Sequence, residues 1–238
     1  MPKHRLVSLY AKIVKYPPAC PKRGRGAMRI THHTKRGTII YECVEYITPD
    51  DLEKLYVLLY LSQHQKVKKL SDSLIISSVH IHEIRKMTSC HNDQFILNSL
   101  KRMRSLTVTS ISRVTQTVLI TGLIHEVVYD MRTGWISVTW NYQFYVACLK
   151  NSWRLDLSLY VSLSRTAKNL YSFLSCNSGS LFSEDMLIER IVLRAHRRDV
   201  AKRSLIKALD ELKDANVVQG YEIRKDGYKL IHIQRHAR

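Results

Sequence analysis

The last third of the chain joins a long helix to a two-stranded ribbon, and this combination limits the possible folds more than any other feature. Residues 194–214 have helical periodicity with an apolar stripe on one face. That stripe consists of Ala201, Leu205, Ala208, Leu209 and Leu212. Residues 217–224 and 228–235 have the composition of strands, and the Asp226-Gly227 pair between them is a strong signal for a hairpin turn.

Two shorter helices are predicted before the long one. Apolar residues recur at helical spacing between Leu163 and Leu174, and Asn177-Ser178-Gly179 ends that helix. Ser183 is a favourable cap for a short second helix, because two acidic residues follow it in the first turn. The order of helix, helix, long helix and ribbon is typical of a winged-helix domain.

The first half of the chain repeats this order. Thr48 is a predicted N-cap with Pro49 at the first helical position, and leucines recur at helical spacing after them. Residues 74–81 are predicted to form a strand that leads into a helix at 82–88, and Asn92-Asp93 begins a further helix. Residues 107–128 and 135–148 are rich in β-forming side chains, with a turn predicted at 130–134.

We therefore predict an α+β fold with two tandem winged-helix domains, each a three-helix bundle with a β-hairpin wing. The first spans residues 41–150 and carries an extended β-ribbon, which is a candidate dimerisation element. The second spans residues 151–238. Residues 1–40 are basic and rich in proline and glycine, with Lys22, Arg23 and Arg25 close together, and we predict a partly flexible N-terminal arm.

The charge of the chain indicates its partners. Lysine and arginine number 38 against 20 acidic residues, which gives a formal net charge of +18. Such an excess attracts polyanions, and nucleic acid is the leading candidate. An anionic membrane surface ranks last, because no basic helix with exposed bulky apolar residues is evident.

The chain has the features expected of a cytoplasmic protein. No apolar run approaches the roughly 20 residues that a membrane-spanning helix requires. The N-terminus lacks the pattern of a signal peptide, and the five cysteines are scattered singly, without a CxxC pair. We expect no metal and no cofactor.

The candidate DNA-contacting residues are basic and lie mainly on the long helix. Arg203 and Lys207 share its exposed face one turn apart, where they are placed to contact bases. Arg197, Arg198 and Lys202 flank that face and are expected to meet phosphates. The full set is His196, Arg197, Arg198, Lys202, Arg203 and Lys207 on the helix, Arg224, Lys225 and Lys229 on the wing, and Lys101, Arg102 and Arg104 in the first half. The alternative interpretation of each group is a solvated basic surface.

An enzyme of another class is a possible alternative. His80-Ile81-His82 follows an apolar run and matches the paired histidines of metal-dependent nicking endonucleases of the HUH type. The tyrosine with a lysine three residues later that accompanies this pair is absent, and so is a GxxxxGK[ST] nucleotide-binding loop. We therefore predict a protein that is not an enzyme. A winged-helix transcription regulator is a further alternative and would use the same basic residues.

Three segments resemble a known family, the iteron-binding plasmid replication initiators of the TrfA and RepE type. They are YITPDDLEKLYVLLYLS, LSRTAKNLYSFLSCNSGSLFSEDMLIERI and KRSLIKALDELKDANVV with the terminal hairpin, and the likeness spans about residues 45–235. The resemblance implies a bacterial, plasmid-associated protein whose monomer binds repeated origin sites through both domains. It also implies opening of an adjacent A+T-rich stretch, recruitment of the host helicase and initiator, and a dimer formed mainly through the first domain. The role of recognition helix is carried over only to residues 196–207.

Overall fold

A computed structural model describes residues 5–10, 15, 17–21, 26–88, 90–150, 152–191, 198–226 and 228–234, apart from the side chains at 10, 152, 224–226, 228 and 229. In this part of the chain, thirteen strands and eight helices form an α+β fold. The strands make four antiparallel sheets, which contain two, three, four and four strands.

A largely buried helix, α1 (Pro49–Gln63), lies at the centre of the molecule. It starts as its sequence predicted, because the backbone N–H and the hydroxyl of Thr48 both donate to Asp51 Oδ2, at 2.8 and 2.9 Å. The buried side chains of α1 include more than its leucine stripe, because the carboxylates of Asp51 and Glu53 are buried as well. It contacts elements from both halves of the chain.

Parts of the segment that we predicted as a partly flexible arm form strands. Strand β1 (Leu6–Tyr10) pairs with β10 (Ser152–Asp156). Strands β2 (Met28–Thr34) and β3 (Gly37–Cys43) form a hairpin that continues into β6 (Thr107–Ser112) and β7 (Thr117–Gly122), in the order β2-β3-β6-β7. The burial of β2 and β3 alternates along each strand, so one face of this sheet belongs to the core. Residues 22–25, which include the basic cluster of the predicted arm, lie outside the described residues.

A second four-stranded sheet has the order β4-β5-β9-β8. Its strands are β4 (Lys68–Lys69), β5 (Leu74–His80), β8 (Ile124–Tyr129) and β9 (Trp135–Asn141). The predicted turn between β8 and β9 is confirmed, since Gly134 N donates to Asp130 O at 2.8 Å. Two helices connect β5 to β6, and both were expected: α2 (Ile81–Thr88) and α3 (Asp93–Arg104), the latter capped by Asn92.

The strand that we predicted for residues 135–148 ends early. Helix α4 (Tyr142–Lys150) follows β9 directly and buries Phe144, Tyr145 and Cys148. Asn141 accepts a hydrogen bond from Phe144 N at 3.2 Å, which is the contact of a helix cap. The tyrosines, phenylalanine and valine of α4 favour a strand locally. The buried side chains of α4 are three and four residues apart, however, and this spacing suits a helix.

The C-terminal part follows the predicted order. After β10 and α5 (Leu157–Ser162) come α6 (Arg165–Ser175), β11 (Leu181–Ser183), α7 (Glu184–Arg190), α8 (Arg198–Asp214) and the strands β12 (Gly220–Asp226) and β13 (Tyr228–Gln234). Ser183 caps α7 by accepting a hydrogen bond from Met186 N. The three strands form a sheet in the order β11-β13-β12. All five residues of the apolar stripe on α8 are buried.

One continuous apolar core joins most of these elements, from Val7 in β1 to Ile233 in β13. Ion pairs reinforce it where α1 meets α6. Asp50 pairs with Arg165 and Lys168, at 2.6 and 3.2 Å, and the buried Glu53 also pairs with Lys168. Within the described residues, no helix combines the length and the apolar character that a membrane span requires.

Candidate nucleic-acid interface

Helix α8 presents a cationic face to solvent along its first half. Its apolar stripe packs on α6, and the opposite side carries Arg198, Arg203 and Lys207, all exposed. This division follows from the helical period, because residues three and four apart share a face. Acidic side chains at 210 and 214 occupy the same exposed side near the end of the helix. The charge of the exposed face therefore changes sign along the helix axis.

Arg203 and Lys207 lie one turn apart, as the sequence predicted. The side chain of Arg203 is 70% exposed, and its guanidinium donates to Asp199 Oδ2 at 3.1 Å within the same helix. A surface pair of this kind contributes only about 0–1 kcal/mol, so an external anion can displace the carboxylate. In the described part of the chain, the ammonium of Lys207 has no carboxylate partner. Both side chains are available to a ligand.

The two flanking cations are already engaged by carboxylates of α7. Arg198 donates to Asp185 Oδ1 at 2.6 Å, and both of these side chains are exposed. Lys202 lies 3.2 Å from Glu184 Oε2, and the Glu184 side chain is 2% exposed. A buried carboxylate needs its counter-ion, so the ammonium of Lys202 stabilises the contact between α7 and α8. The side chain of Lys202 is still 33% exposed, and its phosphate contact stays a prediction.

The ribbon β12-β13 is fastened to the acidic end of α8. The hydroxyl of Tyr221 donates to Asp210 Oδ1 at 2.7 Å. Burial and the neighbouring carboxylate raise the pKa of Tyr221 to about 12, so the hydroxyl keeps its proton at neutral pH. The predicted wing residues Arg224, Lys225 and Lys229 belong to these strands, but their side chains lie outside the described set, as do the residues His196 and Arg197 of the long basic segment.

The three basic residues predicted in the first half have different environments. Lys101 and Arg104 are exposed at the end of α3, where Arg104 Nε donates to His125 O at 3.2 Å. Arg102 is buried, and it donates to Asp51 Oδ1 of α1 at 2.5 Å. An arginine held in the core cannot contact a duplex, so its placement does not fit the role that we predicted for it.

The pair of Asp51 and Arg102 is part of the core. Burial alone would raise the pKa of Asp51, but hydrogen bonds from Arg102, from the backbone of Thr48 and from Ser99 outweigh it, and the pKa lies below its ordinary value. Both groups are therefore charged at neutral pH, and each satisfies the other inside the protein. Helical spacing did not distinguish Arg102 from its exposed neighbours, because its partner is far away in the sequence.

The two histidines of the possible nicking motif do not share one side of a strand. His80 ends β5, whereas His82 lies in α2. His82 N donates to His80 Nδ1 at 3.2 Å, so His80 Nε2 carries the hydrogen and donates to Thr133 O at 3.0 Å. Both ring nitrogens of His80 are thus occupied by the backbone. Among the described residues, no three histidine, cysteine, aspartate or glutamate side chains are grouped as a metal site requires.

A further group of exposed cations was missed in the sequence. Lys35 and Arg36 form the turn of the β2-β3 hairpin, and Arg113 lies in the turn that joins β6 to β7. The alternating apolar residues on both sides of the sequence Lys35-Arg36-Gly37 are a hairpin signal. The proline and glycine content of the segment before them favours an arm instead, and this signal conceals the hairpin.

Comparison with known proteins yields structural neighbours only. No protein-family model and no curated protein matches the chain. A selenomethionine crystal structure of domains 2 and 3 of RctB has a TM-score of 0.64 and 12% identity, covering 98% of this chain and 100% of that one. A second crystal structure of RctB domains 2 and 3 has a TM-score of 0.60 and 12% identity, covering 94% and 96%. The chain thus has an α+β fold similar to that of RctB domains 2 and 3.

Proposed function

We propose that the protein is a sequence-specific double-stranded DNA-binding protein built from two winged-helix units, residues 41–150 and 151–238. The observation that carries the proposal is the exposed pair of Arg203 and Lys207 on α8. A helix with a cationic first half fits the major groove between two phosphate backbones. Arg203 there can exchange its weak contact with Asp199 for the paired acceptors of a guanine, a contact that discriminates between bases by about 1–3 kcal/mol.

Within this class we propose a replication initiator that binds repeated origin sites and opens the adjacent duplex. The arrangement of two helix-and-ribbon units in one chain supports this role, and so does the resemblance of α1, α6 and α8 to plasmid initiators. The host helicase and initiator, and a second copy of the chain, are the proposed partners. The proposal places the protein with the nucleoid or plasmid DNA and includes no catalytic step.

The base-contacting role is tested with DNA selected from a random duplex pool by the full chain. We expect Arg203→Ala to weaken binding to the selected duplex by about 1–3 kcal/mol and to relax the preference at one base pair. Binding to a scrambled duplex should change much less. Lys213→Ala is the matched control, because it removes one exposed charge from the acidic end of the same helix. Equal losses on both duplexes for Arg203→Ala contradict the role.

The initiator role is tested separately from DNA binding. Directly repeated sites in the selected DNA are expected for an initiator. Addition of the protein to supercoiled DNA with those sites should make thymines in the neighbouring A+T-rich stretch reactive to permanganate. Specific binding without any reactive thymines would favour a transcription regulator.

A further inference from the structure

Two hairpin turns meet at one end of the sheet β2-β3-β6-β7. Arg113 N, in the second turn, donates to Arg36 O, in the first, at 2.9 Å. A hydrogen bond inside the first turn also stabilises it, because Thr34 Oγ1 donates to Gly37 O at 3.0 Å. Gly37 allows the close approach, since a Cβ there would lie 1.9 Å from Ile111 O. The positions of Lys35, Arg36 and Arg113, here called the hairpin-tip cluster, are therefore fixed by the backbone.

The hairpin-tip cluster carries charge that the described part of the chain does not neutralise. All three side chains are exposed, and none has a carboxylate within ion-pair distance among the described residues. Arg29, on the same sheet, is instead matched by Glu42 at 3.6 Å. Cations held at adjoining turns repel one another, and a polyanion that lies across them removes this repulsion.

The hairpin-tip cluster adjoins the helices of the proposed DNA interface. A groove of about 930 Å³ separates it from α6, β11 and α7, with Lys35 and Arg36 on one wall and Met186 and Arg190 on the other. No aspartate or glutamate is among the described residues that line this groove. Arg190 Nη2 donates to His33 O at 3.0 Å and so ties the end of α7 to the hairpin. Arg198 at the start of α8 pairs with Asp185 of α7, so α7 is in contact with both the hairpin and α8.

We propose that the hairpin-tip cluster binds the phosphate backbone of the same duplex that α8 contacts; the inference thus rests on the proposed function. Lysine and arginine side chains neutralise phosphates without distinguishing between bases, and each contact releases a counterion. The cluster would add affinity and fix the orientation of the chain on DNA, whereas Arg203 discriminates between sequences. An acidic segment of a partner protein is the other polyanion that such a surface can hold. The duplex is favoured, because α7 links the hairpin that carries the cluster to the start of α8, the helix proposed to contact DNA.

The experiment measures the binding of full-length Lys35→Ala/Arg36→Ala to the selected and the scrambled duplex across a range of salt concentrations. We expect both affinities to fall by the same factor, on the order of 10- to 60-fold near 0.1 M salt. The slope of log affinity against log salt should become shallower by about 1 to 2. Lys66→Ala/Lys68→Ala is the matched control, because it removes two exposed lysines, one in β4 and one just before it, which belong to the other four-stranded sheet, and it should change both quantities little.

The results of these binding measurements can each support or overturn the inference. Unchanged binding by the hairpin-tip variant overturns the inference and leaves an acidic protein segment as the occupant. Equal losses in the control overturn it too, since net charge alone would then explain the effect. If the double variant has a lowered melting temperature, Arg113→Ala provides the same test with half the change in slope. Absence of duplex binding by the unaltered protein would refute the proposed function itself, a result distinct from any difference between variants.

Discussion

His32 is a titratable side chain enclosed in the core, and it makes the stability of the fold depend on pH. Its side chain lies on the buried face of β2, and Nε2 is 3.3 Å from Pro17 O, where the neutral ring can donate a hydrogen bond. Burial is the main cause that lowers the pKa of His32 to about 4, and the charges of Arg190 and His33 lower it further. The ring therefore stays neutral in the folded protein at pH values where it is protonated in the unfolded chain.

The direction of the effect follows from this difference in pKa. As the pH falls below about 6.5, the unfolded chain gains a proton that the folded protein does not accept, so stability decreases until the pH reaches the folded pKa. For His32 alone, the free energy of unfolding should fall by about 2 kcal/mol between pH 7 and pH 5.

Urea unfolding at several pH values should show this loss in the unaltered protein and a smaller loss in His32→Gln. His33→Gln, on the exposed side of the same strand, should retain most of the loss, because His33 is the smallest of the causes that lower the pKa of His32. A pH dependence identical in all three proteins would contradict the prediction.

Single residues also show how far the sequence predicted the candidate site. The exposed face of α8 could be predicted, because its apolar stripe determines which side chains point to solvent. The environments of Arg102 and Lys202 could not, since their carboxylate partners are brought to them by the fold. A basic residue near the predicted face is thus a poor candidate until its counter-ions are known.

At the scale of elements, the close pairing of β3 with β6 depends on a glycine at position 37. Any side chain at this position would collide with the backbone of Ile111, which cannot move aside as a flexible side chain can. We expect Gly37→Ala to destabilise the protein by about 2–4 kcal/mol, because the strands must separate locally or lose ladder hydrogen bonds. Thermal unfolding of the variant measures the loss.

The matched control for Gly37 is Gly122, which lies in the same sheet. A Cβ at Gly122 would find its nearest atoms at 3.8 and 3.9 Å, an ordinary contact distance. We expect Gly122→Ala to change the stability by less than about 1 kcal/mol in either direction. Similar losses for the two variants would mean that the close approach at Ile111 is not what makes glycine necessary.

Elements that begin and end with local signals were predicted, and elements defined by distant partners were not. The starts of α1, α3 and α7 follow from their capping residues at 48, 92 and 183. The terminal ribbon follows from its turn. Strand β1 has no such local signal, because it is stabilised by β10, which lies far along the chain. Helix α4 was missed because its side chains favour strands, whereas its burial in the core favours a helix.

At the scale of the whole molecule, α1 holds the two halves of the chain together. It pairs with Arg102 of α3 through Asp51 and with Lys168 of α6 through Glu53, and all four side chains are buried. The rings of Tyr56 in α1 and Tyr160 in α5 add an aromatic contact, with centroids 5.2 Å apart. Two units that share this helix should unfold together, although their sequences suggest separate domains.

Lys168→Met tests this coupling between the halves. The substitution leaves the buried Glu53 with Lys54 as its remaining cation, at 3.1 Å, and it removes one partner of Asp50. We expect the free energy of unfolding to fall by about 3 kcal/mol, because a buried charge loses its main counter-ion. Adding Glu53→Gln removes that charge but also takes the carboxylate partner from Lys54, so it should restore part of the loss. Lys213→Met on the exposed end of α8 should cost little. Tryptophan fluorescence and far-UV circular dichroism should give coincident urea transitions in every variant, since one core serves both halves. Separate transitions in the unaltered protein, or losses that simply add in the double variant, would show that α1 does not couple the two halves.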